Sequence, residues 1–212
     1  KEQMAEIARD VIIQQGDHSL QYGTTEGYSK FREAIAGRLR KNFGMDVGIE
    51  NVQVTSGSQQ GLDLLTKVFV NRGDPIVVGN PTYLGAANVF AAAGVKFETV
   101  QVDGEGMNPD DLEEKLHVMT HHGENPKFMY IVPTFDNPTG VTMPENRRRR
   151  ILDIAHEYDM LVVEDDPYSE LRYEGEPVKS IKSMDKEGRV IYFGTISKIM
   201  TPGLRLAWTV AS

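Results

Sequence analysis

Apolar side chains recur at every third or fourth position in several parts of the chain, and this spacing predicts amphipathic helices. Three such stripes are Phe31, Ile35, Leu39 and Phe43; Leu62, Leu65 and Phe69; and Ile151, Ile154, Ala155 and Tyr158. A fourth helix is predicted from 110 to about 119, because the preceding Asn108 and Pro109 are typical of a helix start.

Short apolar runs lie between these helices and predict β-strands. They cover residues 52–55, 75–79, 95–102, 128–132, 160–163, 190–193 and 204–210. The runs are continuous rather than alternating, which is typical of strands buried on both faces of a mostly parallel sheet. We therefore predict an α/β fold with three layers, α/β/α. Such sheets bind ligands at the carboxyl ends of their strands.

Composition and charge narrow the class of protein. The 212 residues are 40% hydrophobic and 25% charged, as in a globular domain. The net charge of −8 disfavours nucleic acid or an anionic membrane as partner, and we interpret the basic run Arg147–Arg150 as a solvated helix face. No apolar run reaches the roughly 18 residues of a membrane helix, and cysteine is absent. We expect a cytoplasmic protein without a metal site.

The most informative side chain is Lys198, which follows the apolar run 190–193 and the hydroxyl residues Thr195 and Ser197. Its amine can condense with an aldehyde, while the hydroxyls and the guanidinium of Arg205 can hold a phosphate. Pyridoxal 5′-phosphate (PLP) carries both groups. The ordinary alternative is a surface lysine, and the position of Lys198 at the end of a buried strand argues against it.

A second candidate group follows the run 160–163. Buried carboxylates are costly unless they are paired, and the protonated pyridine nitrogen of PLP is a suitable partner for Asp165. Tyr168 could hydrogen-bond the phenolate oxygen of the same ring. Two alternatives remain: Asp165 caps a helix, or Asp165 and Asp166 bind a divalent metal. The metal site is disfavoured because no further cluster of carboxylates or histidines is evident.

Three more turns follow strand-like runs, and each allows two interpretations. Ser58 and Gln59 stand at a predicted helix N-terminus, where they could donate to a phosphate, or Ser58 could simply cap the helix. Tyr83 could stack on a flat ring or belong to the core. Asn137 could donate its amide to an anionic oxygen or belong to a turn of the Asn-Pro-Thr-Gly type.

Six motifs occur in one order along the chain: QYGTTEG at 21–27, SGSQQGL at 56–62, NPTY at 80–83, DNPTG at 136–140, EDDPY at 164–168 and GTISKIMTPGLRLAW at 194–208. With them the chain resembles the large domain of the fold-type I PLP-dependent enzymes, in the class I/II aminotransferase group. Within that group it is most similar to the aromatic, kynurenine and 2-aminoadipate aminotransferases. The resemblance implies a seven-stranded sheet in which the strand of residues 204–210 is antiparallel.

The resemblance also implies roles for the site residues. Lys198 would bind PLP covalently and then move a proton at the substrate, Asp165 would pair with the pyridine nitrogen, and Tyr83 would stack on the ring; these three are the candidate catalytic residues. The other implied cofactor contacts are the phenolate oxygen with Asn137 and Tyr168, and the phosphate with Ser58, Gln59, Thr195, Ser197 and Arg205.

The resemblance further implies a homodimer in which Tyr22 reaches the phosphate of the neighbouring subunit. We assign residues 1–212 to one PLP-binding large domain. The N-terminal arm and the C-terminal small domain of the family are expected outside this chain, which therefore resembles a piece of a longer protein. For this chain alone, PLP binding is better supported than turnover.

The predicted function is an aminotransferase that moves an amino group between an amino acid and a 2-oxo acid, with aromatic or 2-aminoadipate-like substrates. Two alternatives use the same scaffold: a PLP-dependent C–S β-lyase, and the PLP-sensing domain of a winged-helix transcriptional regulator.

Overall fold

The computed structural model describes all 212 residues as seven α-helices, eight β-strands and short 3-10 turns. The helices are α1 (Glu2–Ser19), α2 (Ser29–Phe43), α3 (Ser58–Phe69), α4 (Leu84–Ala93), α5 (Pro109–His121), α6 (Glu145–Glu157) and α7 (Ile181–Met184). The strands are β1 (Val52–Thr55), β2 (Pro75–Asn80), β3 (Lys96–Asp103), β4 (Gly106–Met107), β5 (Phe128–Ile131), β6 (Leu161–Asp166), β7 (Val190–Thr195) and β8 (Ala207–Val210). None of the helices combines the length and the apolar character that crossing a membrane requires.

All eight strands form one sheet in the order β1-β8-β7-β6-β5-β2-β3-β4. Strand β8 is antiparallel to both of its neighbours, as expected, and the central strands are parallel. The predicted mostly parallel fold is confirmed, but the sheet has eight strands rather than seven. The additional strand, β4, forms a short antiparallel hairpin with the end of β3.

Helices cover both faces of the sheet. On one face, α3 and α4 pack through Leu62 and Phe90 against Phe193 of β7. On the other, α5 and α6 pack through Leu112 and Ile151 onto the sheet, while α2 packs beside them on β1 and β8. Residues of the central strands are buried on both faces, so their alternate side chains serve two cores. This explains the continuous apolar runs.

The four predicted helices correspond to α2, α3, α5 and α6. Helix α5 begins as expected, because the side chain of Asn108 accepts hydrogen bonds from the backbone N–H groups of Asp110 and Asp111, at 2.9 and 3.2 Å. Helix α2 ends at Gly44 in a left-handed conformation with φ 64°. Strand β8 is shorter than predicted, because Pro202–Leu204 form a 3-10 turn and Arg205 is left-handed.

The interpretation of Arg147–Arg150 as a solvated face is wrong for Arg148, which is 1% exposed. Burial lowers the pKa of its guanidinium, but four hydrogen bonds of 2.8–3.0 Å satisfy the buried charge. Their acceptors are the carbonyl oxygens of Pro133, Met143 and Lys179 and the hydroxyl of Thr134. Arg148 therefore fastens both ends of the segment 133–143, which carries Asn137.

Candidate functional site

One cavity of about 190 Å³ lies at the carboxyl ends of the central strands, on the face covered by α3 and α4. Four different strand ends and two helix starts contribute to its walls, as expected for a parallel sheet. Ten of the eleven predicted site residues line it: Ser58, Gln59, Tyr83, Asn137, Asp165, Tyr168, Thr195, Ser197, Lys198 and Arg205.

Asp165 is the second-last residue of β6 and is 4% exposed. Its Oδ2 accepts a hydrogen bond of 2.7 Å from the hydroxyl of Tyr130, whereas its buried Oδ1 has no partner. Burial raises the pKa of Asp165 to about 6; the Tyr130 hydrogen bond acts against this rise, and the nearby Asp166 adds to it. The cavity wall therefore contains a buried acid with one unused acceptor, which suits a cationic N–H donor.

The three consecutive acids of β6 alternate between the faces of the sheet. Asp166 accepts hydrogen bonds from the hydroxyl of Tyr192, at 3.0 Å, and from the N–H of Ser169, at 3.1 Å. Glu164 accepts from two backbone N–H groups at the start of α7, and burial raises its pKa to about 7. Asp165 and Asp166 do not converge as metal ligands would, and it is Asp166 rather than Asp165 that caps the following turn.

Asn137 and Tyr168 meet across the cavity wall. The side-chain amide of Asn137 donates to the hydroxyl of Tyr168 at 3.4 Å. Asn137 also belongs to a tight turn, in which the N–H of Gly140 donates to the carbonyl oxygen of Asp136 at 2.6 Å. The two interpretations of this motif are thus compatible: the turn orients the amide. Two polar groups from separate loops are brought to one point, where they can contact the same anionic oxygen.

Tyr83 is the residue before α4 and is partly buried. Its ring packs closely on Gly85, where an added Cβ would lie 2.4 Å from the phenol. Partial burial raises the pKa of Tyr83, and the charges of Asp165 and Tyr168 contribute to the rise. Tyr83 therefore touches the apolar core and still lines the cavity, so it can present a ring face to a flat ligand.

The start of α3 and the side chain of Arg205 form an end of the cavity suited to an anion. Gly57 caps the helix with φ 82°, and an added Cβ there would lie 2.3 Å from Nη2 of Arg205. Ser58 is the first helical residue, so its interpretation as the helix cap is wrong. The side-chain amide of Gln59 donates to the carbonyl oxygen of Gly85 at 2.9 Å. Because this hydrogen bond occupies the side chain, the backbone N–H of Gln59 is the group left for a ligand.

The end of β7 and the turn after it bring two hydroxyls and an amine to the cavity. Thr195 Oγ1 lies 2.9 Å from Ser197 Oγ and accepts a hydrogen bond of 3.1 Å from the N–H of Ser197. Lys198 lines the cavity but is exposed, contrary to the burial inferred from its position after a strand. The buried stretch ends at Ile196, and the lysine lies in the turn beyond it, at the open side of the cavity.

Tyr22 is the predicted site residue that does not line the cavity. It follows α1 and is 99% exposed. Its assignment to the site of a neighbouring subunit stays a prediction.

Tyr130 is a residue of this region that the sequence did not single out. It lies in the buried strand β5 and is 1% exposed, and its apolar neighbours in the run 128–132 conceal it. The available signal was one hydroxyl inside a fully buried run, since such a group requires a hydrogen-bond partner.

Comparison with known proteins places this site in a family. The family model for aminotransferase class I and II matches residues 1–212. The chain belongs to the class I and II aminotransferases. Among relatives of this family, aromatic-amino-acid aminotransferase 1 of Thermococcus litoralis is 49% identical over 98% of this chain and 50% of its own length. The 2-aminoadipate transaminase of Thermus thermophilus is 40% identical over 100% of this chain and 51% of its own length.

The fold agrees with that of solved class I and II aminotransferases. The crystal structure of kynurenine aminotransferase from Pyrococcus horikoshii, in complex with PMP, superposes with a TM-score of 0.95 at 47% identity. The match covers 99% of this chain and 52% of that one. The chain thus spans about half the length of the curated relatives it matches.

Proposed function

We propose that the protein containing this chain is a PLP-dependent aminotransferase that moves an amino group from an amino acid to a 2-oxo acid. The names of the relatives favour aromatic or 2-aminoadipate-like amino acids as substrates. The observation that carries the proposal is the free, buried Oδ1 of Asp165 in the cavity wall. Among the buried side-chain atoms without a partner, this acceptor belongs to a residue of the cavity wall, so it suits a ligand donor.

The residues of the cavity fit the chemical groups of PLP. Asp165 offers an acceptor to the ring N–H, and Asn137 and Tyr168 offer polar atoms to the phenolate oxygen. The N-terminus of α3, the hydroxyls of Thr195 and Ser197 and the guanidinium of Arg205 suit a phosphate. The absence of a side chain at Gly57 leaves room for the Arg205 guanidinium beside the helix start, so cation and helix dipole can act on one anion.

When bound, PLP supplies an aldehyde that reacts with amines and a protonated ring that accepts electrons. The side chains then have separate tasks. Asp165 would keep the ring nitrogen protonated, and Tyr83 would restrict the orientation of the ring. Lys198 would hold the cofactor through its amine, and once that amine is released its Nζ would move the proton at the substrate Cα. Its place at the open side of the cavity gives it access to both tasks.

Three further assignments belong to the same proposal. Residues 1–212 form the PLP-binding large domain of a longer aminotransferase. The protein acts as a homodimer in which Tyr22 contributes to the site of the second subunit, and the complete exposure of Tyr22 in one chain supports this role. The cytoplasmic location stays a prediction.

Product analysis of the full-length protein tests the function. PLP-loaded protein is incubated with an aromatic amino acid or 2-aminoadipate and a 2-oxo acid, and both products are separated by chromatography. We expect a new 2-oxo acid and a new amino acid in equal amounts. Pyruvate with a free thiol from a cysteine S-conjugate would instead identify the C–S β-lyase, and PLP binding without turnover of any amino acid would favour the regulator domain.

A further inference from the structure

Asp165 is held from the neighbouring strand by a single side chain. Tyr130 lies on β5, whose register pairs it with Val163 of β6. Asp165 is two residues beyond that pair and on the same face of the sheet, because side chains alternate along a strand. The Tyr130 hydroxyl therefore reaches Oδ2 diagonally, at 2.7 Å. The two oxygens of one carboxylate are thus in different states, one bonded and the other free.

We propose that Tyr130 is a positioning residue of the cofactor site. Its hydroxyl fixes the rotation of the Asp165 carboxylate so that Oδ1 is presented to the protonated ring nitrogen of bound PLP. This inference rests on the proposed function, and it assigns to Tyr130 an action through Asp165 rather than a contact with the cofactor. Tyr130 does not line the cavity.

The surroundings of Tyr130 allow such a role because they immobilise its ring. The side chain is 1% exposed, and the ring packs edge-on against Phe90 of α4, with the centroids 5.5 Å apart. A rigid donor restricts the acceptor that it bonds. Without the hydroxyl, both oxygens of the buried Asp165 would lack a partner, and the carboxylate could turn away from the ring or take up a proton.

Other ionisable groups also face Asp165. Asp166, the next residue on the same strand, raises the pKa of Asp165 through its negative charge. Tyr83, Tyr168 and Lys198 line the same cavity from other loops. None of these three donates a hydrogen bond to Asp165 in the structure. Tyr130 is the one side chain with a hydrogen bond to this carboxylate, so removal of its hydroxyl isolates the proposed effect.

The chain offers a matched control in Tyr192. Its hydroxyl donates to Asp166 at 3.0 Å, and its side chain is 2% exposed. Tyr192→Phe and Tyr130→Phe thus each remove one buried hydroxyl bonded to a carboxylate of β6, with the ring retained for packing. The difference is the face: Asp166 points away from the cavity, and Asp165 lines it.

The test measures the dissociation constant of PLP for the full-length protein by equilibrium titration, together with the thermal unfolding midpoint. We expect Tyr130→Phe to raise the dissociation constant about 5- to 20-fold, because a hydrogen bond to a charged group is lost. Tyr192→Phe should change the dissociation constant less than about 2-fold. Both variants should lower the unfolding midpoint by similar amounts, because each loses one buried hydrogen bond. In an Asp165→Asn background, Tyr130→Phe should have little further effect on PLP affinity.

The outcomes separate this inference from the proposed function. If wild-type protein and Tyr130→Phe bind PLP equally well, the positioning role is wrong. It is also wrong if Tyr130→Phe raises the PLP dissociation constant just as much in the Asp165→Asn background. In both cases the proposed function stands. If Tyr192→Phe weakens PLP binding as much as Tyr130→Phe, the effect is general destabilisation and the role is again wrong. If wild-type protein does not bind PLP, the proposed function itself is overturned, and the role falls with it.

Discussion

The environment of Asp165 has an energetic consequence when no ligand is bound. A carboxylate with 4% exposure loses most of its hydration, and one hydrogen bond from Tyr130 replaces only part of it. The rise of its pKa to about 6 expresses this cost. A cationic ligand group at Oδ1 would reverse the cost, because it favours the charged form. Asp165 thus destabilises the folded protein when the site is empty and stabilises it when the cationic group is bound.

This leads to a prediction for the stability of the PLP-free protein. The pKa of Asp165 is about 6 in the folded state and 3.8 in the unfolded reference, so the folded state binds the proton more tightly. The stabilisation from that proton is complete below about pH 4 and is lost as pH rises through 6. Asp165→Asn should remove this pH dependence of the stability, because an asparagine does not titrate.

Urea unfolding between pH 4 and pH 7 measures the effect. The free energy of unfolding of wild-type protein, minus that of Asp165→Asn, should fall by on the order of 2 kcal/mol across this range. The subtraction cancels the contributions of the other ionisable groups. Parallel pH curves for the two proteins would show that the pKa of Asp165 is not raised.

At the scale of the elements, periodicity was sufficient where one helix face is apolar and the other polar. Helices α2 and α6 have such faces, and both were predicted. Helix α4, with the sequence LGAANVFAAA, is nearly uniform in small and apolar residues, so no stripe distinguishes it. Helix α1 has no buried residue, and strand β4 consists of two residues. The packing of α4 on α3 and the pairing of β4 with the end of β3 define these two elements, whereas nothing in the apolar pattern or in the packing marks α1.

The site could be predicted to the extent that it follows strand ends. Parallel strands bring their carboxyl ends to one edge, which is why Asn137, Asp165 and Lys198 line one cavity although they are far apart in sequence. Tyr130 could not be found in this way, because its role depends on which strand neighbours β6 and in which register. The exposure of Lys198 was also missed, since the length of the turn after β7 decides it.

The helix start that faces Arg205 provides a second prediction. Gly57→Ala would place a methyl group 2.3 Å from Nη2 of Arg205 and should displace the guanidinium from the end of the cavity proposed for the phosphate. We expect the dissociation constant of PLP to rise at least about 10-fold, as for the loss of a charge-assisted hydrogen bond.

Gly73→Ala is the control for backbone strain. Gly73 has φ 90°, close to the 82° of Gly57, but an added Cβ there meets no atom within 4 Å. Both variants should lose about 1–3 kcal/mol of stability, because backbone with a positive φ disfavours alanine. PLP affinity should fall in Gly57→Ala alone; equal affinities in the two variants would argue against a phosphate beside Arg205.

At the scale of the whole molecule, one chain leaves several apolar surfaces uncovered. Ile7 and Ile13 of α1 are 60% and 68% exposed, and Tyr22 is 99% exposed. Large apolar side chains left exposed along one helix are typical of an interface. It supports the proposal that the site is completed by a second subunit.

Mixed dimers test the shared site. Tyr22→Ala and Lys198→Ala should each lower activity strongly in the full-length protein. When the two variants are unfolded and refolded together, half of the dimers are mixed, and one of the two sites in each mixed dimer has both residues. We expect recovery of about a quarter of wild-type activity. If Tyr22 serves its own subunit, no site is restored and the mixture stays inactive.

The most direct test of the account is the covalent attachment of PLP. Full-length protein is incubated with PLP, reduced with borohydride and digested, and the modified peptide is identified by mass spectrometry. We expect the pyridoxyl group on Lys198, in the peptide that contains Ser197, and loss of that adduct in Lys198→Ala. Reduction onto a different lysine, or an unchanged yield from Lys198→Ala, would contradict the account.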